Sequence, residues 1–422
     1  MTRGLSILCQ FQSVPYGLRI QSFSGWAITM HLNSASSLKP AVQPTGLQNR
    51  FMPLATLRHL SAQQNKHLLG VIAYTTHSLP GCIAPVLHVP AQVFADDASS
   101  AENALACEAW FHQGDGGTLQ SMAVDLAEHG EAGGGEMHYR HDGEYVFGTI
   151  TLPEAGYAEN LGVPPLQHIA ALAYRHIFRL LDTLDYQHVY RFWNYIADIN
   201  GISHGQERYR QFNIGRQDAF LASQRALTGQ LPAACALGTA EGPLTIAFLA
   251  GRRAAQAVEN PRQVSAYEYP EVYGPRSPSF SRATLLPARD DEEGIAQDIL
   301  FISGTASIVG HETLHTGDVK AQARETLANL EALIQQAQSQ QGSQAQVFDS
   351  RNAVYRVYLR NRQDLPIVKK EIARVFGEQA NTVFLQADVC RDDLLLEIEA
   401  TLFSTASFSS HQHPSSEAIA PL

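Results

Sequence analysis

Positive charge is scarce in this 422-residue chain: 30 Lys and Arg stand against 41 Asp and Glu, for a formal net charge of -11 at pH 7. Nucleic acid and anionic membranes are both held by clustered cations, so neither is an expected partner. A small molecule is. If that molecule is an anion, a few arginines must gather against the field of the whole chain. Cysteine is scarce too: Cys9, Cys82, Cys107, Cys235 and Cys390 are odd in number, far apart and free of any CxxC pair. That excludes a disulfide framework and a zinc knuckle, and it suits a cytoplasmic protein. No apolar run reaches the roughly 18 residues of a membrane span, and the first residues lack the order of a signal peptide.

The chain does contain an internal repeat, with 45% hydrophobic residues and length enough for two domains. Residues 1–50 have no sustained period, and the polar tail 406–422 has the composition of a disordered end. Residues 51–134 carry short apolar runs broken by Pro and Gly and read as an N-terminal embellishment with short strands, closing on the solvated loop EHGEAGGGE. The first copy, 135–255, runs through the strand EYVFGTITL, the amphipathic helix PPLQHIAALAYRHIFRLLDTL, the strand VYRFWNYIADIN, a helix around YRQFNIGRQDAF, and closing strands in PAACALGTAEGPLTIAFLAG. The second, 295–405, repeats the order through DILFISGTASIV, VKAQARETLANLEALIQQAQ, VYRVYLRN, LPIVKKEIARVFGEQ and NTVFLQADVCRDDLLLEIEATLF. The expected fold is α+β, with two modules of one sheet and two helices packed as a pseudo-dimer, which fits a monomer. Between them the Tyr- and Arg-rich connector 256–294 (SAYEYPEVYGPRSPSFSRA at its centre) reads as irregular, the kind of long loop that carries function.

The second copy resembles the RidA/YjgF family in its SGTA strand end, its Gly-Asp-Val turn before AQARETLANLEALI, and its LLLEIEATL ending. The arginine that the resemblance implies before the penultimate strand is missing from QANTVFLQ and from LPAACALG. Imine handling or RidA-like small-molecule binding is thereby disfavoured, and Glu397 of the EIEA ending is expected to be structural. Taken with RFWNYIADIN, YRQFNIGRQDAF, the aromatic connector and SGTASIVGHETLHTGDV, the double module resembles the chorismatases over about 135–403. The resemblance implies an enzyme that acts on chorismate without metal or redox cofactor. It would release pyruvate and either 3- or 4-hydroxybenzoate or, as the alternative, a dihydroxycyclohexadiene carboxylate.

Cleaving an enolpyruvyl ether requires a proton delivered to its methylene carbon while an oxocarbenium ion develops, and a carboxylic acid suits that step. The resemblance puts Glu312, in the Gly-His-Glu-Thr turn, in this role, with burial between modules expected to keep it protonated. Arg216, after what reads as a turn glycine, and Arg282 in the connector are the expected partners of the two substrate carboxylates, ahead of Arg276. Tyr209, Tyr267 and Tyr273 are expected to add hydroxyl donors, and Trp193 is expected in the core. The resemblance also implies pocket walls from Cys235, Ala236 and Gly238 and from Gly304, Thr305 and Ala306. Cys235 has no visible activating base, which makes it a wall rather than a nucleophile. His311 to His315 match HExxH, yet the motif follows a strand and precedes Thr-Gly-Asp, so the helix that a zinc hydrolase needs is not expected.

Overall fold

A computed structural model describes residues 46–75, 82, 84–94, 105–112, 119–125, 134–156, 162–288, 297–341 and 347–405. All of these belong to the compact unit Gln43–Leu422. The readings of residues 1–45, of the tail 406–422 and of most of the EHGEAGGGE loop fall outside the described residues.

Short apolar runs near the N-terminus pair into a four-stranded sheet of β1 (Gln48–Pro53), β2 (Leu68–Tyr74), β3 (Val86–Val89) and β4 (Leu105–Phe111), in the order β1-β4-β2-β3. The end of the N-terminal stretch supplies β5 (Gln120–Asp125) and leads into β6 (Gly134–His141), and the first repeat copy supplies β7 (Tyr145–Leu152), β8 (His188–Ala197), β9 (Ala233–Thr239) and β10 (Leu244–Gly251). Its strands β7-β10-β8-β9 lie side by side, with β6 and β5 beyond β7. The connector and second copy supply β11 (Gln256–Val258), β12 (Ala283–Leu286), β13 (Ile299–Thr305), β14 (Val354–Leu359), β15 (Asn381–Gln386) and β16 (Leu396–Phe403). Here the order is β11-β12-β13-β16-β14-β15.

One rule covers all three sheets: first strand beside last, then second, then third, with only the second–third pair parallel. The N-terminal stretch is therefore a third, reduced copy of the module, where an embellishment was expected. Between its first two strands stand only the short helices Leu54–Arg58 and Ala62–His67, too short for the 3.6-residue period that marks the other copies. The connector also differs from expectation: its ends form β11 and β12, which extend the third sheet as β6 and β5 extend the second.

Helices α1 (Pro165–Thr183) and α2 (Arg208–Ala222) cover the outer face of the second sheet. Leu166, Ile169, Ala173, Ile177 and Leu181 recur at helical spacing on α1 and are all buried. Helices α3 (Val319–Gln341) and α4 (Leu365–Phe376) do the same for the third sheet. Pro366 opens α4, and Gly377, at φ 90°, closes it.

The inner faces of the three sheets meet in one core. Trp110 of β4 lies 5.6 Å from Trp193 of β8 and 6.0 Å from Phe301 of β13, ring centre to ring centre, so each sheet contributes one large ring. Tyr195 and Tyr358 place their hydroxyls 3.2 Å apart, with Tyr74 of the first sheet beside Tyr195. Ionic groups join the sheets at the same place. Arg356 of β14 donates to Glu108 of β4 and to Glu399 of β16, and Arg191 of β8 lies 2.7 Å from Glu399.

Candidate active site

The end of β13 with the residues that follow it (Gly304 to Ile308), the loop before β16 (Cys390 to Asp393), the first turn of α2 and the connector line a cleft of about 290 Å³ between the second and third modules. Arg210, Arg282 and Arg391 line it, and of these Arg210 is paired with Glu207 at 3.0 Å. Arg282 donates to Val264 O at 2.8 Å and to the Tyr269 hydroxyl at 2.7 Å, and its Nε has no partner. Arg391 stacks 4.0 Å from the centre of the Tyr273 ring, donates to His311 O and to Thr313 Oγ1, and leaves Nη2 unpartnered. Neither guanidinium has a salt bridge among the described residues, so both retain charge for an anion in the cleft.

Glu397 lies in the same cleft, at the start of β16. It is 3% exposed, and its Oε1 has no partner. Burial, followed by the neighbouring charge of Glu399, pushes its carboxyl up to about 8, against the pull of Arg191 and Arg282. It is therefore protonated at neutral pH. Gly304 makes room for it, because a Cβ there would fall 1.8 Å from Glu397 Oε1. Cys390 shares the wall, with burial pushing its thiol up to about 12. The arrangement combines a protonated carboxylic acid with two anion-binding forks, which equips it to protonate a bound dianion.

A family profile described as "Chorismatase FkbO/Hyg5-like, N-terminal" matches residues 123–250. A "3-hydroxybenzoate synthase" from Streptomyces hygroscopicus is 40% identical over 280 residues, covering 65% of this chain and 78% of the relative. A "Chorismatase" from Streptomyces rapamycinicus is 36% identical over 290 residues, covering 66% of this chain and 82% of the relative. The chain belongs to the chorismatase family. A crystal structure of a chorismatase superposes with a TM-score of 0.69 at 28% identity, covering 86% of this chain and all of that one. The chain is thus an enzyme with the family's fold.

Within this family frame, Arg282, Tyr209, Tyr273, Gly304, Ala306 and Glu312 all line the cleft, as read from the sequence. Glu312, however, lies exposed at its mouth on the hairpin of Ile308–Val309 and Glu312–Thr313, where burial was expected. Gly310, at φ 60°, forms the hairpin turn. Arg216 lies sealed in the second module, 2% exposed, beside Asn213, Tyr174 and the cleft residue Tyr209, and is not itself part of the lining. Its neighbour Gly215 sits in mid-helix and not in a turn, since a Cβ there would come 2.0 Å from Gln167 O where α1 and α2 cross.

Tyr267 packs against the second module's core, and Arg276 is exposed. Cys235, Ala236 and Thr305 are buried outside the lining. Gly238 is also outside it: Asp388–Val389 pair with β9 there, and a Cβ would meet Asp388 and Ile199 at 2.6 Å. Trp193 is core, as expected. The HETLH segment forms a strand and turn, with His315 at φ 61°, so its histidines do not share a helix face. Sequence reasoning missed Arg391 altogether and expected Glu397 to be structural. The available signal was two glutamates, Glu397 and Glu399, alternating on a closing strand that is otherwise apolar except for Thr401.

Proposed function

We propose that this enzyme converts chorismate to pyruvate and a hydroxybenzoate, with 3-hydroxybenzoate favoured because the 40%-identical relative is named for that product. The observation that carries the reading is Glu397, a buried acid with a free oxygen in a cleft that also holds Arg282 and Arg391, neither of them in a salt bridge among the described residues. Arg282 and Arg391 take the carboxylates. Glu397 gives its proton to the methylene carbon of the enolpyruvyl group, and the adjacent ether carbon becomes an oxocarbenium ion.

Capture of that ion by the ring hydroxyl, with later aromatisation, gives pyruvate and hydroxybenzoate without net water, whereas capture by water consumes one molecule and leaves the dihydrodiol. The wall side chains of Phe280, Cys390 and Ala306 support the first course, because they offer few polar groups to hold a water beside the ring. Glu312, at the mouth, meets the solvent and not the methylene carbon. No described helix is long and apolar enough to cross a membrane, and Cys82, Cys107, Cys235 and Cys390 are free thiols. The free thiols support a cytoplasmic enzyme. Chromatography of chorismate incubated with purified protein tests the reading. Equimolar pyruvate and 3-hydroxybenzoate are expected, and a dihydrodiol as the main product would overturn the preferred branch.

A further inference from the structure

We infer that Glu399 is a positioning residue that keeps the proton on Glu397, and that the N-terminal module takes part through Glu108. The inference rests on Glu397 being the acid. Glu397 and Glu399 are two apart on β16 and so share a face of the strand, opposite Tyr358 and Arg356 of β14. Two carboxylates this close in a dry site do not both ionise, and the surroundings decide which one carries the charge.

Glu399 is held by Arg191 and Arg356, while Arg356 also grips Glu108, itself bonded by Asn49 Nδ2 at 2.6 Å. All four ionic side chains are at most 2% exposed. Two cations and two anions close this network, and it has no cation left for a third carboxylate. Glu399 is accordingly held ionised by Arg191 and Arg356, in spite of its burial. The groups facing Glu397 are Glu399, Arg191 and Arg282, the protonated thiols of Cys235 and Cys390, and the Tyr209 hydroxyl. Only Glu399 among them is an anion.

Glu108 belongs to β4 of the first sheet, 248 residues from its partner Arg356 in the third. Without its charge the buried network carries a net positive charge, which favours the ionised form of Glu397. The reduced N-terminal copy, which adds nothing to the cleft wall, thus acts on the reaction through charge balance.

The test is the pH dependence of pyruvate release by full-length variants. Glu399→Gln is expected to move the alkaline limb of kcat/KM down by about one pH unit or more, losing proportionally more rate at pH 8 than at pH 6. Glu108→Gln shifts it the same way by less, and Arg191→Gln shifts it upward. Opposite shifts from loss of an anion and loss of a cation are not produced by a structural role; a uniform loss at every pH would overturn the inference.

If Glu399→Gln does not fold, infrared titration of the wild type decides, with Glu397→Gln identifying its band. A protonated carboxyl at pH 7 that vanishes in Glu397→Gln is expected, and its absence overturns the inference. Full turnover by Glu397→Gln with that band present in the wild type would remove the acid role alone. An unshifted limb in Glu399→Gln, with Glu397→Gln inactive, would remove the network role alone.

Discussion

A methyl group on Gly304 would stand 1.8 Å from Oε1 of Glu397, so the strand end at β13 and the acid on β16 fit together only because position 304 has no side chain. The obstructing atom is the far end of a flexible side chain, so Gly304→Ala would displace the carboxyl without unfolding the sheet. Turnover is expected to fall by about 100-fold, as for an angstrom-scale misplacement of a catalytic group, with thermal stability near wild type. Steady-state kinetics beside a melting curve checks this.

Glutamine keeps the shape of Glu397 and cannot supply its proton. Glu397→Gln should therefore lose roughly 10² to 10⁴-fold in kcat, the usual contribution of general acid catalysis. Glu312→Gln, at an exposed site on the mouth hairpin, should stay within a few-fold. If the two results were reversed, the proton donor would be at the mouth.

Removing a buried carboxylate partner costs on the order of 2 to 5 kcal/mol, most of it in binding. Arg282→Ala and Arg391→Ala are each expected to raise KM for chorismate by about tenfold or more. Arg276→Ala, with its side chain in solvent, should leave KM unchanged. Titration of substrate against each variant separates the three.

The repeat was legible because α1 and α3 are long enough to carry a helical period and because both copies keep their order of strands. The third copy was not, since its two helices span five and six residues and leave no periodic trace. In the site, Arg282 could be read from its aromatic connector. Arg391 could not, because its place is fixed by Tyr273 and His311, contacts between distant segments that no spacing encodes. Glu312 and Glu397 show the same limit from the other side. Both are glutamates near the end of a strand, and only the packing of one module on another buries the second and exposes the first. Arg216 was misread because a glycine that lets two helices touch looks, in sequence, like one that turns the chain.

The last prediction follows from the titration of Glu397. Its carboxyl is raised to about 8 in the folded enzyme, so the acid is charged with its proton below that pH and empty above it. The kcat/KM for pyruvate release, which reports the free enzyme, should accordingly hold near neutrality and decline above about pH 8. Arg282 pulls this pKa down in the free enzyme, and a substrate carboxylate paired with that arginine would cancel the pull. The limb of kcat, which reports the complex, should therefore lie at higher pH than the limb of kcat/KM. Stability shows the same sign. A carboxyl with a folded value above its ordinary 4.5 binds more protons folded than unfolded, so its contribution is complete below about 4.5 and is lost as the pH rises to about 8. Glu397→Gln removes that loss. Denaturant unfolding at pH 5 and pH 8 should find the variant gaining on the wild type at the higher pH, and an equal difference at both would mean that Glu397 does not titrate in this range.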